Sequence, residues 1–258
     1  MAMLEWRLLD TGVLSAPYNM ALEKVLLASC TKNIAPNTLH LLEFSPCVLL
    51  GYSQVVKDEV EEDFCKDNGI AINRRISGGG CIYMDGGTLG WEIIAKKNTP
   101  GIPATLEGLY SMICGALVAA LEEFGIFAQY RPLNDVEVSG RKISGTGGTE
   151  LDDSFIFHGT VLIDFHADIM AKALKVPAKK RWETQATDFK KRTICMRELL
   201  GSAPAVDEVK KRLTGAFAKT LNAEFVKGEL LSEETRLLNE ELPVFSSDEW
   251  VYGRSPGL

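Results

Sequence analysis

Apolar positions recur along this chain with two spacings, one helical and one alternating. Over residues 16–31, Met20, Leu22, Val25, Leu26 and Leu27 give a helix its apolar side. Pro17 suits that helix's first turn. Thr38–Phe44 and Cys47–Tyr52 read as strands parted by Ser45-Pro46. Asp58–Asn68 reads as an acidic helix stopped at Gly69, and Ile70–Asn73 as a short strand. Thr88–Ala95 is strand-like. Thr105–Phe124 is the longest helical pattern, with Leu106, Leu109, Tyr110, Ile113, Leu117, Leu121 and Phe124 on one face. Residues 127–164 read as a strand meander: Val136–Val138 and Lys142–Ser144 flank a Ser139-Gly140 turn, and Phe155–Ile163 is a long strand. Ile169–Leu174 is a short helix and Pro177–Lys191 a basic loop. Helices near Ala205–Leu221 and Ser232–Glu241 follow.

Strands and helices mix without strict β-α-β order. That predicts an α/β or α+β fold with a mixed, largely antiparallel sheet flanked by helices. A Rossmann fold would place its glycines between a strand and a helix; here they fall between two strands. A length of 258 residues suits one large domain, or one with a small appendage. The apolar fraction of 46% and charged fraction of 24% are those of a globular protein. No apolar run reaches the ~18–20 residues of a membrane span, and the first residues lack a signal-peptide layout. The expected location is cytoplasmic, with no membrane partner. A net charge of −7 weighs against a nucleic-acid partner. Six cysteines without a C-x-x-C pair, and three histidines, argue against a zinc site and for reduced core thiols.

Four segments carry candidate chemistry. In Arg74-Arg75-Ile76-Ser77-Gly78-Gly79-Gly80, three side-chain-free residues let backbone N–H groups approach a ligand, and two arginines suit phosphate. Alone, this run reads equally as a flexible turn beside solvated arginines. In Asn134–Gly148, Lys142 precedes a glycine-rich turn, where its ammonium could offset charge built up on a reacting carboxylate or phosphate. Asn134 could hydrogen-bond a ligand and Asp135 could help to hold Mg²⁺; an ordinary polar hairpin is the competing reading. His158-Gly159 lies in an apolar strand, where a histidine is more often a satisfied core group. Lys175 to Arg192, including Lys179 and Lys180, reads as a solvated loop or as one that closes over a nucleotide.

Taken in order, these segments resemble the lipoate–protein ligase family of the biotin/lipoate ligase superfamily. The family's R-R-x-S-G-G-G-A-V-Y-H-D-x-G-N-L block is matched by Arg74–Leu89. Its N-D-[IL]-x-V is matched by Asn134-Asp135-Val136, its G-[RK]-K-[IV]-[SA]-G-[ST]-[AG] by Gly140–Gly147, and its H-G-T-L-L by His158–Leu162. Upstream, Pro46–Gln54 matches P-x-[VL]-x-[LF]-G-x-x-Q. The likeness runs from about residue 5 to Trp250.

The resemblance implies a biotinyl/lipoyl ligase-like, class II synthetase-like fold and a single catalytic domain over residues 1–258. It implies activation of lipoate or octanoate by ATP and Mg²⁺ to an acyl-adenylate, then transfer to a lysine of a lipoyl carrier. That carrier would be an E2 subunit or the glycine-cleavage H protein. Lys142 would be the catalytic residue. Arg74, Ser77, Gly78, Gly79, Gly80, Cys81, Tyr83, Asn134, Asp135, Ser144, Gly145, Thr146, His158 and Gly159 would contact the substrate or adenylate. Lys179 and Lys180 would lie on the adenylate loop, and Asp135 would hold the metal.

The sequence departs from the pattern at Met84, where the family has histidine, at Thr88, where it has asparagine, and at Cys81, where it has alanine. Its end near Trp250 suggests that the accessory domain of the longer ligases is absent. Either a separate small subunit or unaided action would follow. Relatives that transfer acyl groups through a cysteine thioester, without ATP, form the nearest rival reading. In one such group the cysteine lies just before the N/E-[IL]-x-V segment, and Tyr130–Asp135 holds none. A non-catalytic lipoyl-binding module is the third reading.

Overall fold

The computed structural model describes residues 3–132, 134–175 and 191–254. In chain order the strands are β1 (Leu4–Leu14), β2 (Thr38–Phe44), β3 (Cys47–Leu50), β4 (Ala71–Arg74), β5 (Ile82–Met84), β6 (Thr88–Lys96), β7 (Gln129–Arg131), β8 (Asp135–Val138), β9 (Arg141–Leu151), β10 (Ser154–Leu162) and β11 (Ala223–Lys227). The helices are α1 (Ala16–Thr31), α2 (Val56–Glu59), α3 (Glu62–Asp67), α4 (Leu106–Glu122), α5 (Ala167–Ala173), α6 (Met196–Leu200), α7 (Val206–Leu221), α8 (Ser232–Phe245) and α9 (Asp248–Tyr252). Eight strands form one sheet in the order β11-β1-β2-β6-β10-β9-β8-β7, and three form a second in the order β4-β3-β5. In the large sheet β1 pairs parallel with β11 and β2, and the other pairings are antiparallel. The expected mixed, largely antiparallel sheet flanked by helices is what the chain forms.

Alternation on the central strands sends successive side chains to opposite faces. Trp91, Ile93, Phe155 and Phe157 pack with Leu109, Ile113, Leu117, Leu213 and Phe217, so α4 and α7 cover one face. Ile94 and Ile156 pack with Met20, Leu22, Val25, Leu26, Leu238 and Phe245, so α1 and α8 cover the other. The small sheet packs with α2, α5 and α9 through Val48, Leu50, Val56, Ala173, Leu174 and Val251.

Three expectations change. The acidic helix over 58–68 is two short helices, α2 and α3, broken where buried Val60 bridges Leu174. The run Gly145–Gly148 is strand, not turn, since β9 continues to Leu151. Its glycines let β10 lie close: a Cβ on Gly148 would sit 2.5 Å from the Ile156 carbonyl oxygen. The last long helix continues past Glu241, through Pro243, to Phe245.

Candidate active site

The glycine run after β4, the start of β6, the β8–β9 hairpin and the middle of β10 enclose a cleft of about 560 Å³. Its apolar end is lined by Met20, Leu42, Phe44, Leu49, Ile82 and Met84. Its polar end holds Asn134, Asp135, Lys142, Gly145 and Thr146, with Arg131 and Arg192 at the rim. Small-molecule sites commonly combine such an apolar wall with a few convergent polar groups.

Asp135 on β8 lies opposite Gly145 on β9, and Lys142, two places along the ladder opposite Glu137, reaches back so that its Nζ lies 2.6 Å from Asp135 Oδ1. The ammonium occupies space that Gly145 leaves free, for a Cβ there would stand 2.5 Å from Lys142 Cε and Nζ. Asn134 frames this end by a different route. Its carbonyl accepts from the Thr146 N–H and hydroxyl, and its amide donates to the Thr146 carbonyl.

The glycine run is supported from below. Arg75 donates to the Leu49, Gly78 and Gly80 carbonyls. Gly79 has φ +101°, a conformation that favours glycine. Gly51 passes so close that a Cβ on it would meet the Gly79 carbonyl. The Ser77 hydroxyl and His158 Nε2 are 3.0 Å apart, and His158 Nδ1 is 2.9 Å from Glu23 Oε1.

The sequence reading places most of its residues here. Gly78, Gly79, Gly80, Cys81, Tyr83, Asn134, Asp135, Lys142, Gly145, Thr146, His158 and Gly159 all line the cleft. Arg74, Ser77 and Ser144 stand behind the cleft wall, since none is among the lining residues. The Arg74 guanidinium is fully buried and donates to the carbonyls of Gly51, Tyr52, Gln54, Trp250 and Val251. It ties the small sheet to α9, and Arg75 takes the place under the glycine run. Ser77 acts from behind that run, and Ser144 is buried on β9. Lys179 and Lys180 lie outside the described residues.

A row of polar groups crosses the large sheet, and of its members only His158 falls in a motif of the sequence. His40, Glu92 and His158 are direct cross-strand neighbours on β2, β6 and β10. His40 Nδ1 lies 2.8 Å from Glu92 Oε2, and Glu23 reaches down to the row from α1. Burial, more than His40 offsets, holds the Glu92 carboxyl above its ordinary value. The available signal was an acid inside an apolar strand, Trp91-Glu92-Ile93, and another inside an apolar helix at Glu23.

All six cysteines are unpaired, and Cys81 alone of them lines the cleft. Burial, reinforced by Glu59 and only partly offset by Arg75, pushes its thiol up to about 12. Burial likewise raises Cys114, beneath Thr146, to about 11. Among the described residues no helix is long and apolar enough to cross a membrane.

The chain is similar to the octanoyltransferase LipM of Kyrpidia tusciae, with 26% identity over 270 residues, covering 96% of this chain and 98% of that protein. It is similar to the lipoate-protein ligase LplJ of Bacillus subtilis, with 27% identity over 242 residues, covering 92% of this chain and 70% of that one. Its fold matches the solved bi-partite lipoate protein ligase of Thermoplasma acidophilum with a TM-score of 0.86 and 25% identity, covering 99% of this chain and 100% of that one. Residues 15–218 match the model of the lipoyl protein ligase A/B catalytic domain, and the chain belongs to that family.

Proposed function

We propose that this chain is an ATP-dependent ligase that activates lipoate or octanoate as an acyl-adenylate and attaches it to a lysine of a lipoyl carrier. One observation carries the choice of adenylate over thioester. The polar end of the cleft holds a lysine ammonium, while among the described residues the cleft's one lining cysteine, Cys81, has no base beside it in that lining that would ionise it, and desolvation pushes its thiol up to about 12. A thioester route needs a thiolate, generated by an adjacent base or a cationic setting. Adenylation needs positive charge where the acid and the α-phosphate meet.

In the first step an oxygen of the acid attacks the α-phosphorus of ATP. A P–O bond forms, and the bond to pyrophosphate breaks. Lys142 offsets the negative charge gathered on the reacting oxygens, and the apolar end of the cleft takes the acyl chain. In the second step the carrier's lysine amine attacks the acyl carbon, forming the amide and expelling AMP. Asp135 lines the cleft and offers the hard carboxylate oxygen that Mg²⁺ takes together with phosphate oxygens. It would hold that ion, which would supply further charge neutralisation at the phosphates.

The carrier reading is supported by the Thermoplasma neighbour, described with its E2 lipoyl domain. A bi-partite neighbour also supports a separately encoded accessory subunit as one of two modes of action, the other being unaided turnover. The second reading, octanoyl transfer without ATP, is favoured by the near full-length likeness to octanoyltransferases. Lipoate- or octanoate-dependent ATP–pyrophosphate exchange, with intact-mass analysis of a lipoyl domain incubated with ATP, Mg²⁺ and either acid, tests the proposal. Mass gain that requires ATP supports it. Mass gain from an octanoyl-carrier thioester without ATP, abolished by Cys81→Ala, overturns it.

A further inference from the structure

The glycine turn that borders the cleft has little side-chain packing to fix it. Nothing lies within 4 Å of where Gly78 or Gly80 would carry a Cβ. Its position rests on hydrogen bonds instead, and two of those supports lead back to α1. Arg75 grips the Gly78 and Gly80 carbonyls, and Glu23 is the carboxylate whose charge helps to keep that buried guanidinium ionised. Ser77, directly ahead of the turn, is 3.0 Å from His158, whose other nitrogen is 2.9 Å from Glu23.

The hydrogen-bond roles follow from the partners. A carboxylate only accepts, so His158 Nδ1 carries the proton that it donates to Glu23. In the neutral ring Nε2 is then an acceptor, and the Ser77 hydroxyl donates to it. This chain of carboxylate, imidazole and hydroxyl has the connectivity of a hydrolase triad. Ser77 is nevertheless only 1% exposed and does not line the cleft, so no acyl carbon reaches its oxygen. A metal ion fares no better. Glu23, Glu92 and His158 gather within 4.8 Å of one another, but both ring nitrogens of His158 already have partners.

Keeping this relay is costly. Glu23 is wholly buried and its Oε2 has no partner. An unpaired buried polar atom destabilises a fold, so packing alone gives no reason for an acid at this position. We propose that Glu23 is a positioning residue that fixes the Gly78–Gly80 turn against the cleft through His158 and Ser77. The inference rests on reading the cleft as the site of acyl activation.

The test uses Glu23→Leu, which removes the acceptor, Glu23→Gln, which keeps an oxygen for Nδ1–H, Ser77→Ala, and the Glu23→Leu/Ser77→Ala double variant. Lipoate-dependent pyrophosphate exchange gives kcat and KM, and thermal melts report the fold. The expected result is a fall in kcat of up to about 100-fold for Glu23→Leu and for Ser77→Ala, the cost of misplacing a site by about 1 Å. KM for acid and ATP should move little, Glu23→Gln should recover most of the rate, and the rate losses should persist at assay temperatures well below each variant's melting point, where the fold is intact. The double variant should be no worse than the poorer single, although Glu23 and Ser77 do not touch, because both act through one ring. Full activity in Ser77→Ala overturns the proposal. So do multiplicative losses in the double variant, or losses that track unfolding. Should Glu23→Leu fail to fold, Ser77→Ala and Glu23→Gln still decide. A wild-type protein without pyrophosphate exchange would defeat the ligase reading instead. The same variants would then be read in octanoyl transfer between carriers, where the relay demands the same pattern.

Discussion

Gly145→Ala isolates the placement of the lysine from its charge. The added Cβ would stand 2.5 Å from Lys142 Cε and Nζ and 4.0 Å from Asp135 Oδ1. Ordinary contact begins near 3.4 Å, so the ammonium must retreat by about 1 Å, a displacement that can cost roughly 10²-fold in rate. Complete loss of one charge-stabilising donor costs about 10²–10³-fold, which sets the ceiling that Lys142→Ala should reach. Stability should barely change, because the atoms that yield are the far end of a flexible side chain. The Lys142–Asp135 pair is partly exposed, at 36% and 22%, and such pairs contribute at most ~1 kcal/mol. The melting temperature should therefore drop by no more than about 2–4 °C. Pyrophosphate exchange and a thermal melt on the same preparation give both numbers. Gly148→Ala is the contrast, because its Cβ would strike the Ile156 backbone at 2.5 Å and should destabilise the sheet. Gly145→Ala at the wild-type rate, or a melting loss equal to that of Gly148→Ala, would refute the placement argument.

Three further outcomes are expected. Cys81→Ala should modify the carrier at the full ATP-dependent rate, and wild-type Cys81 should resist iodoacetamide at pH 8, since a thiol held near 12 is ionised there in only roughly one molecule in 10⁴; rapid alkylation would contradict this. Glu92 is raised by burial, so above an unfolded pKa of about 4.3 the native state holds the extra proton and stability falls as pH rises towards the folded value. Glu92→Gln should flatten that slope in urea melts at pH 5 and pH 8, and an unchanged slope counts against it. Arg7 is buried and pairs bidentately with fully buried Glu234 at 2.6 and 2.7 Å. Arg7→Ala should lose about 3–5 kcal/mol in urea unfolding, whereas a loss below ~1 kcal/mol would show the pair to be dispensable.

What could be read beforehand follows physical range. α4 and α7 bury a face set by residues three and four apart, so their spacing was legible. β11 has five residues and pairs with Leu4–Leu8 at the far end of the chain, so nothing local marks it. β1 mixes buried Trp6 and Leu9 with Arg7, Asp10, Thr11 and Gly12, and its alternation is correspondingly weak. Gly145–Gly148 reads as a turn until β10 is in place and shows why side chains are excluded there. The choice between Arg74 and Arg75 was similarly hidden. Neighbours at the end of a strand point opposite ways, and the β3–β4 register decides which one meets the glycine run. In this chain Leu50 lies opposite Arg74, which turns Arg74 towards α9 and leaves Arg75 beneath the cleft. Glu23 and Glu92 stood in plain view as acids among apolar neighbours. Charge inside an apolar period has a reason that only the tertiary partners disclose.

The fold by itself does not separate the two chemistries found among its relatives, since one scaffold hosts both named activities at 26% and 27% identity to this chain. The difference reduces to what stands where the acyl carbon reacts. A transferase route requires a thiolate within reach of that carbon. Residues 130–135 contain no cysteine, and the Cys81 and Cys114 thiols beside the cleft are driven towards the neutral form rather than the reactive one. A ligase route requires a cation that can leave a resting partner for a reacting anion. Under the proposed reading Lys142 would meet that requirement, because its pair with Asp135 is partly exposed, and a partly solvated pair is cheap to exchange. On the proposed ligase reading, this one short ion pair would supply the movable cation that adenylation needs.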